Sequence, residues 1–216
     1  LPLYQLLGGK CREDYLAYGY GMMFQQRSDL EAAYAAEAQR IVEMGFTALK
    51  MKIGMGVARD TSLATAVKQG AGEGVKLMAD ANHAYAPGEA ICIGNALRDR
   101  GFYWFEEPVM PEDYQGYTTV RQALGGLQIA GGEAEWTRFG HRELLTRQCV
   151  DILQPEVAAT GGISEFMKIL AMAHAFGTPV LPHVWGSDVL IAVDMHLLAV
   201  IPDLPGGLHQ FEPMLE

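Results

Sequence analysis

Residues 48–54 read ALKMKIG, residues 75–82 read VKLMADAN and residues 102–108 read FYWFEEP. Each stretch is a short apolar run that ends in charged side chains. Near-continuous apolar runs of this length are typical of strands buried in a parallel sheet. Helical patterns lie between the runs, so this part of the chain predicts regular alternation of strand and helix.

The same alternation extends along the whole chain. The segments 29–44 and 164–176 have apolar residues on one helical face, with Ser164 as a candidate cap and Gly45 and Gly177 as stops. Eight strands with seven helical segments between them predict an α/β fold, a (β/α)7β TIM-like barrel. An open doubly wound sheet is the alternative, but no GxGxxG follows the first strand. The predicted strands are Tyr15–Tyr20, Ala48–Ile53, Val75–Ala79, Phe102–Phe105, Leu127–Ala130, Val150–Leu153, Pro179–Leu181 and Leu208–Phe211.

Composition narrows the range of possible partners and locations. The chain has 216 residues, half of them apolar, which is enough for one sizeable core, and its net charge of −10 argues against nucleic acid and anionic membranes. The longest apolar stretch, 189–201, contains Asp194 and His196 and is too short to span a bilayer. Three widely spaced cysteines form no CxxC pair, which fits a reducing cytoplasm.

Charged residues recur at the predicted strand ends. From Lys52 onward, one such group follows the next after 23 to 29 residues, about one strand-plus-helix unit. They would therefore share one rim, and in barrels of this kind the C-terminal strand ends carry the chemistry. The groups are Lys50, Lys52, Asp80, Glu106, Glu133, Glu156, His183 and Glu212.

Three of these groups suggest a metal site. Asp80, Glu106 and Glu133 follow three consecutive predicted strands. Carboxylate oxygens suit a hard cation such as Mg²⁺, whereas zinc prefers nitrogen or sulfur ligands. A cation there would stabilise the charge that develops when a proton leaves the carbon next to a carboxylate.

Two candidate bases flank the three carboxylates. Lys52 precedes them, and we expect Lys50 and the metal to lower its pKa. His183 follows them and needs an acceptor for its second ring nitrogen. Glu156 on the preceding strand is the first candidate for this acceptor, and Asp151, which opens that strand, is the alternative.

The ordered set of motifs resembles the mandelate racemase subgroup of the enolase superfamily along nearly the whole chain. The resemblance implies an Mg²⁺-dependent enzyme in which the three carboxylates bind the metal and Lys52 and His183 are acid/base groups. It also implies that Lys50 and Glu212 contact the substrate carboxylate and that Asn82 neighbours metal and substrate. The motifs are KxK at Lys50 and Lys52, DxN at Asp80 and Asn82, EEP at Glu106, GE at Glu133 and the late His183.

Two features depart from the family pattern. The family commonly has Asp where this chain has Glu156, which gives the histidine partner a longer arm. Family members also carry an N-terminal capping domain, and none precedes Leu1, so we expect residues 1–216 to be the catalytic barrel of a longer protein.

The stretches LPHVWGSDV and HQFEPMLE resemble the acid-sugar dehydratases and cycloisomerases of the family. They imply a sugar acid or its lactone as substrate, and we expect a homo-oligomer. Four alternatives stay open: a racemase or epimerase of a 2-hydroxy acid, a Schiff-base aldolase, a metal-dependent aldose isomerase and an inactive metal-binding barrel fragment.

Overall fold

A computed structural model describes residues 1–25 and 27–202 and the backbone of 214–215. Strands and helices alternate along it as predicted. The helices are α1 Leu3–Leu6, α2 Leu30–Glu43, α3 Val57–Ala71, α4 Pro87–Asp99, α5 Tyr114–Ala123, α6 Thr137–Thr146, α7 Val157–Thr160, α8 Ile163–Ala175 and α9 Asp188–Val200. The strands are β1 Leu16–Ala17, β2 Gly19–Gly21, β3 Ala48–Lys52, β4 Lys76–Asp80, β5 Trp104–Glu106, β6 Gln128–Gly131, β7 Ile152–Leu153 and β8 Met214–Leu215.

The chain divides into two compact units. The middle unit is Tyr18–Ala130, and the terminal unit combines Leu1–Ala17 with Gly131–Glu216. None of the helices in the described ranges is long and apolar enough to cross a membrane.

The middle unit has parallel strands in the order β2-β3-β4-β5-β6. All five residues of β3 are buried, as expected for a strand in the middle of a parallel sheet. The register pairs Lys52 with Asp80, and Asp80 with Glu106. Three of the predicted site residues therefore lie side by side at the carboxyl ends of adjacent strands.

Helix α2 forms from the periodicity that predicted it. Leu30, Tyr34, Ala38 and Ile41 are buried, on the stripe expected for an amphipathic helix. Met44, which the prediction assigned to the same face, is instead 69% exposed because the helix already ends at Glu43.

The terminal unit corrects two predicted strands. The predicted strand Tyr15–Tyr20 is two strands, because β1 pairs with β8 whereas β2 pairs with β3. The predicted strand Pro179–Leu181 is reduced to isolated parallel bridges, which pair Leu153 with Val180 and Glu156 with His183. The predicted strand Leu208–Phe211 lies outside the described residues.

The predicted cap of α8 was also wrong. Its N-cap is Gly162 rather than Ser164, and no side chain caps it. Gly161 and Gly162 have φ angles of 108° and 96°, which glycine adopts without strain. The sharp turn between α7 and α8 is therefore built from glycines, and Ser164 falls inside the helix. The predicted apolar stripe of α8, which begins at Phe166, is buried.

Candidate active site

Lys50 lies in the core of the middle unit. It has no exposed surface, and its Nζ lies 2.8 Å from Glu106 Oε1 and 3.9 Å from Asp80 Oδ2. The indole N–H of Trp104 donates to the other Glu106 oxygen at 3.0 Å. A buried charge is tolerated when it is paired in this way, and removal of one partner of such a pair typically costs about 3–5 kcal/mol. The predicted contact between Lys50 and a substrate carboxylate stays a prediction.

Lys52 contacts the next carboxylate. Its Nζ donates to Asp80 and to the side-chain oxygen of Asn82. Burial lowers the pKa of Lys52, but attraction to Asp80 and the hydrogen bond with it outweigh burial, so the pKa is raised. The direct contact with Asp80, which the sequence prediction did not count, therefore outweighs the effect of Lys50. The lower pKa predicted for Lys52 beside a bound metal stays a prediction.

The carboxylates of Asp80 and Glu106 form the acidic half of this lysine–carboxylate cluster. Each has an oxygen within 4.8 Å of the other, and both side chains are buried. Burial, and then repulsion from Glu106, raises the pKa of Asp80, while the two lysines oppose the shift. Two buried carboxylates held this close provide the oxygen ligands that suit Mg²⁺, so these two residues fit the predicted metal.

The sequence prediction missed a second pair beside the cluster. His83 Nδ1 lies 3.0 Å from Glu107 Oε2, and the Glu107 side chain is almost fully buried. The contact with the Glu107 carboxylate raises the pKa of His83, although burial lowers it. In the sequence, the feature that indicated this pair was the second glutamate of the EEP motif, Glu107.

Backbone strain is concentrated at the same strand ends. Asn82, His83 and Glu107 have φ angles of 40°, 61° and 43°, in the left-handed region that non-glycine residues rarely adopt. Such conformations cost about 1–3 kcal/mol each and are concentrated at functional sites. The strain therefore favours a functional role for the segments that follow β4 and β5.

In the terminal unit, His183 lies between two carboxylates. Its Nε2 is 3.1 Å from Glu133 Oε2, and its Nδ1 is 3.0 Å from Glu156 Oε2. Of the two contacts, the one at Nδ1 is a hydrogen bond, and because an ionised carboxylate only accepts hydrogen bonds, we assign the N–H to Nδ1. The partner of Nδ1 is Glu156 rather than Asp151. The catalytic roles predicted for these residues stay predictions.

Glu156 is itself held in place. Its Oε1 accepts a hydrogen bond from the Ala158 backbone at 3.2 Å, as the N-cap of α7, and its Oε2 accepts one from the Trp185 backbone at 3.2 Å. The longer glutamate arm thus reaches the histidine while two backbone N–H groups fix it. The departure from the family's Asp therefore leaves the contact with the histidine intact.

Asp194 on α9 adds a third carboxyl group near Glu156 and His183. The side chain is fully buried, and neither oxygen has a hydrogen-bond partner within the described part of the chain. Burial, and then repulsion from Glu156, raises the pKa of Asp194 to about 7, although His183 opposes the shift. The predicted site residue Glu212 lies outside the described residues.

Comparison with known proteins identifies the family. The family model described as "Enolase C-terminal domain-like" matches residues 33–213. The chain is 41% identical to D-galactarolactone cycloisomerase of Agrobacterium fabrum over 212 residues, covering 98% of this chain and 56% of that protein. It is 36% identical to arabinonate dehydratase of Saccharolobus solfataricus over 201 residues, covering 93% of this chain and 53% of that protein.

Solved structures give the same result. The 3,6-anhydro-D-galactonate cycloisomerase of Zobellia galactanivorans is similar over all of this chain and 57% of its own, with a TM-score of 0.88 and 36% identity. The named relatives are enzymes, and the chain spans a little over half of their length. The predicted fold class, the (β/α)7β barrel of the enolase superfamily, is confirmed. The chain belongs to the enolase C-terminal domain-like family.

Proposed function

We propose that the chain carries the catalytic residues for Mg²⁺-dependent removal of the proton next to the carboxylate of a sugar acid or its lactone. The observation that carries the proposal is the lysine–carboxylate cluster, in which Lys50, Lys52, Asp80 and Glu106 are buried together at the ends of adjacent strands. The names of the relatives, two cycloisomerases and a dehydratase of sugar-acid compounds, support this substrate class.

Asp80, Glu106 and Glu133 are the proposed metal ligands. Asp80 and Glu106 are proposed because both are buried and their carboxylates lie close together. Glu133 is proposed because of its spacing along the sequence and because it matches the family pattern. A bound Mg²⁺ would supply positive charge beside the substrate carboxylate and so stabilise the enolate. In this arrangement Lys50 balances the charge of Glu106, and Asn82 orients Lys52.

Lys52 and His183 are the proposed acid/base groups. Each needs to hold or release one proton, Lys52 at Nζ and His183 at Nε2. Glu156 fixes the ring through Nδ1, which leaves Nε2 as the reactive nitrogen. After one group has removed the α-proton, the enolate electrons can expel the β-hydroxyl, which leaves as water with a proton from the other group, and the result is dehydration. If they instead expel a ring oxygen on the β-carbon, and the other group protonates that oxygen, the ring opens, as in cycloisomerisation.

Metal titration tests the proposal. Calorimetry of the full chain should show one Mg²⁺ site, and Glu106→Gln should weaken binding at least tenfold because one charged ligand is lost. Glu112→Gln is the matched control, because Glu112 is an exposed acidic residue further along the same loop. In D₂O with Mg²⁺, the chain should exchange the α-proton of sugar acids or their lactones, and a chelator should stop the exchange. Equal Mg²⁺ affinity in the parent and in Glu106→Gln would refute the metal site.

A further inference from the structure

Asp60, in the first turn of α3, is a fully buried carboxylate that the proposed reaction does not use. Its Oδ2 accepts hydrogen bonds from the backbone N–H groups of Gly54 at 3.0 Å and Met55 at 2.9 Å. These two residues lie in the loop between β3 and α3, just after Lys52. One buried carboxylate oxygen therefore fixes the path of the chain just after the candidate base.

The same oxygen accepts a third hydrogen bond, from the hydroxyl group of Tyr85. Tyr85 lies in the segment between β4 and α4, five residues after Asp80. Its ring packs edge-on against Phe105 of β5, with centroids 6.4 Å apart, so the hydroxyl is held by the ring's packing as well as by the bond. Burial, and then the bond with Asp60, raises the pKa of Tyr85, so the phenol keeps its proton and remains a donor.

Close packing of the backbone supports the same connection. Gly54 has a φ angle of 134°, and a Cβ atom there would lie 2.9 Å from the Cβ of Ala84. Real Cβ atoms do not approach so closely, so the β3–α3 loop and the segment after β4 meet at a distance that only glycine permits. Polar and steric contacts thus join the same two segments.

We propose that Asp60 and Tyr85 are positioning residues that clamp the β3–α3 loop to the β4–α4 segment and so fix Lys52 relative to Asp80. The positioning role rests on the proposed function, because it matters only if these two groups act on one substrate. A displacement of about 1 Å at a reacting group costs up to about 100-fold in rate. The clamp should therefore affect kcat more than KM.

Tyr85→Phe is the direct test, because it deletes the hydroxyl group and keeps the ring. Tyr34→Phe is the matched control. Tyr34 is also fully buried and feels the Asp60 charge, but its hydroxyl has no hydrogen-bond partner among the described residues. Asp60→Asn is the second variant, since it removes the charge that all three donors share.

Two readouts are needed, one of which does not depend on activity. Hydrogen exchange of the Ala84 and Met55 amides in the full chain should accelerate about tenfold in Tyr85→Phe and more in Asp60→Asn, but not in Tyr34→Phe. The kcat for α-proton exchange should fall about tenfold in Tyr85→Phe, with KM changed less than about threefold.

The outcomes separate the two proposals. Unchanged amide exchange in both Tyr85→Phe and Asp60→Asn would refute the clamp, whatever the activity. Faster amide exchange with an unchanged kcat would refute the positioning role. A parent chain that binds Mg²⁺ but exchanges no α-proton would refute the proposed function and the positioning role with it, while amide exchange would still decide whether the hydroxyl joins the two segments.

Discussion

At the scale of single residues, Glu156 holds the ring of His183 through its nitrogen Nδ1. Glu156→Gln keeps the shape but loses the charge that stabilises a protonated imidazole. We expect the exchange that depends on His183 to slow about 100-fold, within the range that a positioned acid/base group contributes. Proton NMR in D₂O measures this rate for each substrate epimer.

Glu156→Asp is the control for this substitution, because it keeps the charge and shortens the arm to the family's usual length. It should retain more exchange than Glu156→Gln. Equal rates in the parent and in Glu156→Gln would show that the carboxylate charge does not assist His183.

Asp194 gives a prediction for stability as a function of pH. Its pKa is about 7 in the folded chain, whereas an unfolded aspartate titrates near 3.9. Between these values the folded chain keeps a proton that the unfolded chain has released, so this group lowers the free energy of unfolding as pH rises from about 4 to about 7. The loss is complete above the folded pKa and amounts to at most about 4 kcal/mol.

Asp194→Asn removes the titrating group. The variant should therefore gain stability over the parent progressively across that pH window, as urea unfolding at several pH values would measure. Asp188→Asn is the control for the general loss of one negative charge, since Asp188 is exposed on the same helix. A difference between Asp194→Asn and the parent that does not change with pH would contradict the buried, proton-retaining carboxyl group.

At the scale of helices and strands, Gly70 sets the approach of α3 to α2. A Cβ at Gly70 would lie 2.1 Å from the backbone oxygen of Ala35, which cannot move aside as a flexible side chain could. Gly70→Ala should therefore separate the two helices and lower the free energy of unfolding by about 1–3 kcal/mol.

Gly88→Ala in α4 is the matched control. A Cβ there meets nothing within 4 Å, so alanine should be neutral or stabilise the chain by up to about 1 kcal/mol. Thermal unfolding of both variants measures the difference. Equal midpoints for Gly70→Ala and Gly88→Ala would contradict the close approach of the helices.

The strands show why some elements could be predicted and others could not. β3 and β4 match their apolar runs to within one residue at each end, because strands buried on both faces need continuous apolar sequence. The apolar run Tyr15–Tyr20 did not predict that its first part pairs with β8 and its last part with β3. The composition of a strand does not show which strand it is hydrogen-bonded to. The glycine turn before α8 was not predicted, because serine is a common N-cap residue and Ser164 was therefore assigned as the cap.

At the scale of the whole molecule, the prediction of the site rested on the regular spacing of charged residues along the sequence. One charged group per strand-plus-helix unit was enough to select Lys52, Asp80 and Glu106 as neighbours. Asp60 and Asp194 could not be selected in this way, because they lie on helices where an aspartate usually indicates a cap or a solvated surface. Their burial results from packing between elements, which a single sequence does not encode locally.

The central proposal is that Lys52 and His183, which flank the three carboxylates along the sequence, are two bases that each exchange the α-proton of only one substrate configuration. The decisive measurement is proton NMR of substrate exchange in D₂O with Mg²⁺, over sugar acids and lactones of both configurations at the α-carbon. Lys52→Ala should abolish exchange with one epimer and leave the other, and His183→Asn should do the reverse, with Mg²⁺ binding retained in both. If both variants exchange either epimer as fast as the parent chain does, neither residue is the base and the claim is wrong.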